Sequence, residues 1–362
     1  MPAIPDPFRP SMTTMTVSPA APGADARLEQ LLGWLAALSP EWALSTGSIR
    51  PASNDASFRR YFRIDSGHPS HHSLIAMDAP PPMEDCRPFV AVARLFGEAG
   101  VRVPEVLEAN LDAGFLLLTD FGNETYLDVI DETNADALHA DASRALVSLQ
   151  AASRPSALPD YDRELLLREL TLYPDWYLAR HKQAQLTDDD RNALQRTFEL
   201  LLASSLAQPR VFVHRDYHSR NLMRLDDSTG PGVLDFQDAV YGPVTYDLAS
   251  LLRDAYLSWP EEREIDWAIR HWERARKASL PVAADFGEFY RDFEWMGLQR
   301  HLKVLGIFAR LWHRDGKDRY LADLPRVLAY VVRTASRYTA LTPLARLIDR
   351  IEGREATIGY TF

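Results

Sequence analysis

The chain has 362 residues, of which 46% are hydrophobic and 25% are charged. Its 40 basic and 51 acidic side chains leave a net charge of −11, which argues against a nucleic-acid-binding surface. No apolar run approaches the roughly 20 residues of a membrane-spanning helix, and the single cysteine, Cys86, excludes an internal disulfide. These features predict a globular cytoplasmic protein that binds small molecules and has no nucleic-acid, membrane or stable protein partner.

The chain begins with a segment that has no apolar periodicity. Residues 1–25 are rich in proline, serine, threonine and alanine, which predicts a disordered leader. Residues 26–40 then carry leucines at helical spacing, so we expect an amphipathic helix that stops at Pro40.

Alternating strands and one helix follow. Residues 56–65 and 71–80 predict two strands joined by a turn that contains glycine and proline. A helical apolar face over residues 84–100 precedes two more predicted strands, at 105–110 and 114–122.

The pattern changes from Asp128 onward to long helices, interrupted only by short predicted strands at 210–216 and 232–238. A strand-rich part followed by a larger helical part is typical of an α+β protein with two lobes around a cleft. We predict that the two lobes span residues 26–120 and 121–362.

Carboxylates and a carboxamide follow the two short strands of the second half. Asp216 and Asn221 come after the first strand, and Asp235 and Asp238 come after the second. Hard oxygen ligands of this kind suit Mg²⁺, and a further carboxylate near the ion can accept a proton from a substrate hydroxyl. The pattern predicts a metal-assisted site at one loop edge.

These motifs resemble those of the aminoglycoside phosphotransferase and choline kinase family, relatives of the protein kinases. The sequence HRDYHSRN at 214–221 matches the family's catalytic loop, H-x-D-x-x-x-x-N, and LDFQD at 234–238 matches its metal-binding D-x-x-D segment. The stretch at 241–252 continues the match with G-x-x-x-x-D-L-A. The resemblance implies a bilobal protein-kinase-like fold that transfers a phosphoryl group from ATP, with Mg²⁺, to a hydroxyl. It also implies that the N-lobe at 26–120 binds the nucleotide and that the C-lobe at 121–362 carries the catalytic and substrate-binding residues.

The resemblance also implies roles for the oxygen-bearing side chains. Asp216 would be the base or the hydroxyl-orienting carboxylate, Asn221 a Mg²⁺ ligand, and Asp235 the main Mg²⁺ ligand that bridges the ATP phosphates. Asp238 would either contact the metal as well or accept a hydrogen bond from a group that does.

Other polar residues of the same region have more than one interpretation. We interpret His214 as a brace of the loop backbone rather than an acid or base, and Asp247 as a loop-bracing or helix-starting carboxylate. His218 could face either the substrate or solvent. Arg215 and Arg220 are interpreted as structural or surface residues, with contact to an anionic substrate as the alternative.

The first half departs from the family pattern where the phosphates of ATP would bind. Relatives have a glycine-rich loop there, whereas this chain has Ser53, Asn54, Asp55, Ala56 and Ser57. Small polar residues can still turn the chain and present backbone N–H groups, so this segment remains the predicted phosphate-binding loop.

The strand lysine of the family is also absent: Met77 occupies its position, and the first lysine in the chain is Lys182. Arg59, Arg60 and Arg63 lie on the adjoining strand, where alternation directs Arg60 to the face opposite Arg59 and Arg63. We predict that at least one of Arg59 and Arg60 contacts the ATP phosphates, because their charge requires more than Mg²⁺. The alternative is that they are surface arginines on an exposed strand.

Residues 116–123 are the predicted hinge between the lobes. By the resemblance, adenine would hydrogen-bond backbone groups near Leu118 to Asp120. A buried strand end is the alternative interpretation.

Two stretches outside the motifs, at 165–181 and 293–321, are similar to the bacterial anomeric sugar kinases that phosphorylate N-acetylmuramate and N-acetylglucosamine at the 1-hydroxyl in peptidoglycan recycling. This resemblance spans about residues 27–340. It predicts that Arg300 or Lys303 meets the lactyl carboxylate of N-acetylmuramate, with Glu169 as a weaker substrate-side candidate. The alternative for the second stretch is a core helix whose charges are solvated.

Two other functions remain open from the sequence. A phosphotransferase acting on aminoglycosides or other small hydroxyl compounds shares every motif, although a polycationic substrate would favour acidic residues near the site. A catalytically silent kinase-like binding module is favoured by the missing lysine and glycines and opposed by the intact Asp216, Asn221 and Asp235.

Overall fold

The computed structural model describes residues 25–53, 58–81, 83–225 and 230–354. The predictions made for residues 1–24 and for Asn54, Ala56 and Ser57 lie outside the described residues, as does the side chain of Ser53.

Five antiparallel strands form one sheet in the first half, in the order β1-β2-β3-β5-β4. The strands are β1 (Arg50–Ser53), β2 (Arg60–His68), β3 (His71–Asp78), β4 (Val106–Asn110) and β5 (Phe115–Thr119). The four strands predicted from the sequence are confirmed. The sequence does not predict β1, because it contains Pro51; an edge strand tolerates a residue that cannot donate to the ladder.

The two faces of this sheet pack against different elements. Helix α1 (Ala26–Trp42) buries Leu31 and Leu35 against one face, which carries Phe62 and Ile64 of β2. The other face, which carries Met77, joins a core cluster that includes side chains of α2 (Arg87–Glu98) and of the second half. The sheet therefore has one face under α1 and another directed toward the predicted catalytic motifs.

Helix α1 extends two residues past Pro40, where the sequence predicts its end. A proline near the last turn removes one hydrogen bond of the helix, and that loss is small at a helix end where the freed carbonyl can reach water.

The second half is helical, and the α+β class is thereby confirmed. Its helices are α3 (Tyr126–Val129), α4 (Ala135–Ala151), α5 (Arg163–Leu172), α6 (Asp188–Ala207), α7 (Tyr246–Leu252), α8 (Glu261–Lys277), α9 (Phe286–Asp315), α10 (Leu324–Arg337) and α11 (Thr342–Glu352). A π-helix, Tyr173–His181, continues α5 directly. None of the described helices is long and apolar enough to cross a lipid bilayer.

Four short strands interrupt the helices: β6 (Arg210–Val213), β7 (Leu222–Met223), β8 (Gly232–Val233) and β9 (Val240–Pro243). β6 pairs with β9 and β7 with β8. The loop from β6 to β7 and the loop from β8 to β9, which contain the two motifs, therefore both run between the same two strand pairs. The predicted strand at 232–238 is wrong beyond Val233, because Asp235 adopts a left-handed conformation with φ of 63° that ends it.

Helix α9 is the central element of the helical half, with 30 residues and a length of about 45 Å. It packs against the π-helix and against α5, α6, α7 and α10. The approach to α5 depends on Gly306, because a Cβ atom there would lie 2.4 Å from the carbonyl carbon of Leu172. The interpretation of this stretch as a core helix is confirmed for Leu298, Leu302 and Leu305, but its charges are not solvated, because Arg300 and Lys303 are also buried.

Candidate active site

The loop that follows β6 is fixed at its start by a buried carboxylate. Asp247, in the first turn of α7, accepts the backbone N–H groups of His214 at 2.6 Å and Arg215 at 3.0 Å. These bonds stabilise Arg215 in the left-handed region, with φ of 79°, which few non-glycine residues adopt. Burial raises the pKa of Asp247 to about 7, against the opposing effect of these two donors.

His214 links this loop to the metal-binding motif. Its Nε2–H group donates to the carbonyl of Leu234 at 2.9 Å, and its Nδ1 accepts the backbone N–H of Asp216 at 3.2 Å. Burial lowers the pKa of His214 to about 4, so the ring is neutral near pH 7, as this donor and acceptor pattern requires. Its contacts are those of a backbone brace.

A second carboxylate, Asp254, fixes the far end of the loop and was not among the predicted residues. It is 1% exposed and accepts the N–H and the hydroxyl of Ser219 at 2.9 and 2.5 Å. Asp254 lies just beyond the end of α7 at Leu252, and no spacing in the sequence indicates that it would reach Ser219.

The oxygen-bearing side chains of the two motifs meet beyond this loop. Asn221 Nδ2 donates to the backbone carbonyl of Asp216 at 2.9 Å and lies 3.4 Å from Asp235 Oδ2. Gln237 connects Asp238 to this pair, since its Nε2 lies 2.9 Å from Asp235 Oδ1 and 3.4 Å from Asp238 Oδ2. The structure thus brings Asn221 and Asp235 together and leaves Asp238 outside the pair.

This arrangement fits Mg²⁺ better than a metal that needs several protein ligands. Among the described residues, no three histidine, cysteine, aspartate or glutamate side chains converge as a metal-binding group. Mg²⁺ is commonly held by one or two carboxylates together with substrate phosphates and water. Asp235 is exposed, and Asn221 Oδ1 accepts no hydrogen bond from the residues described, so both can offer oxygen to an ion.

A buried ionic cluster lies behind Asp216. Glu169 is 5% exposed and accepts Arg215, the hydroxyl of Tyr161 and, at 2.9 Å, the ammonium of Lys303. Lys303 also donates to Tyr246 Oη at 3.1 Å. Because Glu169 and Lys303 neutralise each other internally, the structure argues against the predicted direct contact of either with substrate.

Asp216 is half-buried among positive charges. Burial raises its pKa, but the charges of Lys303, Arg300 and Arg215 outweigh that effect and hold the pKa below its ordinary value. The carboxylate is therefore ionised at neutral pH, the state in which it can accept a proton.

Two polar groups near Asp216 lack partners within the part of the chain that the structure describes. Arg300 is 2% exposed, and its guanidinium makes no hydrogen bond or ion pair there. His218 is 8% exposed, and its Nδ1 is buried without a partner. Its ring packs edge-on against that of Tyr256, with 5.3 Å between the ring centroids. Arg220 stacks over the same Tyr256 ring at 4.2 Å.

Arg60 lies on the sheet face covered by α1. Its guanidinium pairs with the fully buried Asp78 at 2.6 Å and with Asp25, the N-cap of α1. Because Arg60 shares its face with Phe62 and not with Met77, the structure argues against the predicted contact between Arg60 and ATP phosphates.

Arg59 and Arg63 lie on the opposite face, as alternation predicts. Arg59 pairs with Glu84 at 3.1 Å, just before α2. Arg63 instead holds the end of β5, since its Nη2 donates to Asp120 Oδ1 at 2.8 Å and to the carbonyl of Gly122 at 2.8 Å. Arg59 is thus the one of the two predicted arginines that can still serve the phosphates.

The backbone of Leu118 is less accessible to adenine than that of Asp120. Leu118 lies inside β5, between β3 and β4, and its backbone faces Ile75 of β3. Asp120 is the first residue after β5, and its carboxylate accepts Arg63 and, at 2.6 Å, the hydroxyl of Ser73.

Comparison with known proteins agrees with this geometry. A model of the phosphotransferase enzyme family matches residues 48–287, which include the sheet, the loop after β6 and both motifs. The chain belongs to the phosphotransferase enzyme family. The sugar kinase resemblance is also supported, since an N-acetylmuramate/N-acetylglucosamine kinase of Pseudomonas aeruginosa is 49% identical over 92% of this chain and 99% of its own.

A kinase of the same name from Pseudomonas putida is 48% identical over 91% of this chain and 98% of its own length. Among solved structures, choline kinase from Cryptosporidium parvum is 12% identical, with a TM-score of 0.59, and covers 88% of this chain and 99% of that one. At this identity the likeness concerns the fold, and it confirms the predicted bilobal kinase-like architecture of this family member.

Proposed function

We propose that this protein is an ATP-dependent kinase that phosphorylates the 1-hydroxyl of N-acetylmuramate and N-acetylglucosamine. The observation that carries the proposal is the identity of 48–49% to kinases of these two sugars over almost their whole length. Both sugars are constituents of peptidoglycan, so the reaction would belong to cell-wall recycling. ATP use and a buried free thiol at Cys86 favour the cytoplasm as its location.

The residues after β6 and β8 supply the acceptor chemistry in this proposal. Asp216, held ionised by its cationic neighbours, orients the sugar hydroxyl and accepts its proton. An anomeric hydroxyl is more acidic than an ordinary alcohol because it belongs to a hemiacetal, so a carboxylate of low pKa is an adequate acceptor. The braces at Asp247, His214 and Asp254 keep the loop backbone fixed while substrates exchange.

Asn221 and Asp235 would hold Mg²⁺ in this site, with Asp238 as a further acceptor. The ion would supply positive charge to the phosphates of ATP, and phosphoryl transfer depends mainly on such charge neutralisation and on positioning. The 3.4 Å separation of Asn221 Nδ2 and Asp235 Oδ2 supports this assignment.

The nucleotide would lie against the sheet face that carries Met77. We assign Arg59, oriented by Glu84, to the ATP phosphates in place of the family's strand lysine. The loop containing Ser53, Asn54, Ala56 and Ser57 would cover the phosphates, and backbone groups from Asp120 onward would meet adenine.

The test is turnover of purified protein with Mg·ATP and a panel of N-acetylglucosamine, N-acetylmuramate, N-acetylgalactosamine, kanamycin and choline. ADP release should require an N-acetyl sugar, and the product should lose its reducing end because the anomeric oxygen is esterified. D216N should reduce kcat at least about 100-fold without changing nucleotide affinity. Turnover with kanamycin alone would favour an antibiotic kinase, and nucleotide binding without any turnover would favour a binding module.

A further inference from the structure

Arg300 differs from the other buried arginine of the described chain. Arg253 is fully buried and has two ionic partners, Glu264 at 3.2 Å and Glu294 at 2.8 Å. Arg300 is 2% exposed and has none among the residues described. A buried cation without a counter-ion is costly, so proteins pair such groups or use them to bind an anion. The missing partner of Arg300 therefore indicates that this arginine binds an anion.

The surroundings of Arg300 show where that anion would bind. Gly297, one turn before Arg300, lies against Ala249 of α7, and Lys303, one turn after it, donates to Tyr246 Oη of α7. Arg300 therefore lies beside the helix whose Asp247 fixes the loop that orients the sugar hydroxyl. His218 presents a second buried polar atom, Nδ1, that has no partner in the described chain. Lys303, one helical turn later, is already paired with Glu169, so of these two buried cations of α9 it is Arg300 that has no ionic partner among the described residues.

The helix that carries Arg300 places it on the acceptor side of the reaction. Arg300 belongs to α9, which packs among the helices of the second half. Arg59, the candidate for the ATP phosphates, lies beside the sheet of the first half, whereas Asn221 and Asp235, next to the Asp216 loop, are assigned to Mg²⁺ rather than to the phosphates. The anion that reaches Arg300 is thus more compatible with the acceptor sugar than with ATP.

We propose that Arg300, together with the unpartnered His218 Nδ1, forms the subsite that binds the carboxylate of an acidic acceptor sugar, the lactyl group of N-acetylmuramate. This inference rests on the proposed function and adds the residue that separates its two substrates. N-acetylglucosamine lacks the carboxylate and leaves Arg300 to water, so its binding does not depend on the arginine charge. A guanidinium suits this task because its planar donors match a carboxylate.

The test compares R300Q with wild type in steady-state kinetics with each sugar at saturating ATP. The KM for N-acetylmuramate should rise about 10- to 100-fold, as expected for loss of a charge-assisted hydrogen bond, while the KM for N-acetylglucosamine stays within about twofold. R300K, which keeps the charge and loses the planar fork, should lie between the two. R291Q is the matched control, because Arg291 is an exposed arginine of α9 paired only with Asp292.

A change in the substrate makes the test independent of how well the variants fold. With wild-type protein, the lactyl carboxamide analogue of N-acetylmuramate should show the same rise in KM as the R300Q substitution. With R300Q, the acid and the carboxamide should bind equally, because the residue that distinguishes them is gone. A thermal shift with N-acetylmuramate in the absence of ATP should likewise be present in wild type and R291Q and lost in R300Q.

Three results would overturn the inference. A fall in kcat for both sugars in R300Q would assign Arg300 to the transferred phosphoryl group, the other source of anionic oxygen at this site. Equal changes in KM for the two sugars would make it a general structural residue. Wild-type protein that does not distinguish the acid from its carboxamide would show that no carboxylate subsite exists, whereas failure to phosphorylate either sugar would contradict the proposed function itself.

Discussion

Substitution of Glu169 by glutamine should destabilise the protein more than loss of any exposed ion pair. Glu169 has a side chain that is 6% exposed and neutralises both Arg215 and Lys303, whose side chains are 19% and 8% exposed. E169Q leaves two cations in a region of low dielectric without their shared anion. Breaking a buried ion pair from one side costs about 3–5 kcal/mol of unfolding free energy.

The measurement is urea unfolding of E169Q, K303M and the double variant, with E199Q as the control. Glu199 pairs with Arg163 at 2.6 Å, but both side chains are about half exposed, so E199Q should cost about 0–1 kcal/mol. K303M should cost less than E169Q because Glu169 keeps Arg215, and the double variant should lose less than the sum of the two. A cost for E169Q no larger than that for E199Q would refute the view that Glu169 holds this cluster together.

Further outcomes follow from the other contacts described. R59Q should raise the KM for ATP about tenfold and leave the KM for sugar unchanged. R60Q should instead lower the melting temperature and leave the KM for ATP unchanged, because Arg60 pairs with the buried Asp78. The reverse pattern would make Arg60 the arginine that binds the phosphates. D235N should raise the Mg²⁺ concentration required for half-maximal activity, and an unchanged Mg²⁺ titration would contradict its assignment. Burial lowers the pKa of His271 to about 3 from an ordinary 6.5, so the unfolded chain is protonated at a higher pH than the folded one, and the unfolding free energy falls as the pH drops below about 6.5. H271Q should reduce the dependence of unfolding free energy on pH by up to about 1.4 kcal/mol per pH unit. An unchanged pH dependence would show that this histidine is not buried in its neutral form.

The spacing of Asp216, Asn221 and Asp235 behind two short strands was enough to predict which side chains meet. Such a prediction succeeds because loops that leave neighbouring strands are held close by the strand ladder itself. Contacts between distant segments could not be predicted in the same way. Glu169 and Lys303 come from helices far apart in the sequence, and nothing in either segment indicates that the other will neutralise it.

The arginines of β2 show a different limit. Alternation correctly separates Arg60 from Arg59 and Arg63, but it cannot say which face will be covered by α1. That choice depends on tertiary packing of Leu31 and Leu35 against the sheet. The residues available to adenine could not be delimited for a related reason, because the end of β5 lies one residue after Leu118 and strand ends are poorly defined by sequence.

The 30 residues of α9 also constrain how this enzyme can change its substrate over evolutionary time. Insertion of a single residue before Arg300 would rotate the part of α9 that follows the insertion by about 100° relative to the part that precedes it. Gly306 could then no longer face Leu172, and the buried side of the helix would lose its packing. Acceptance of new sugars must therefore arise by exchange of individual side chains along α9, whereas families that bind substrate with surface loops can also vary loop length.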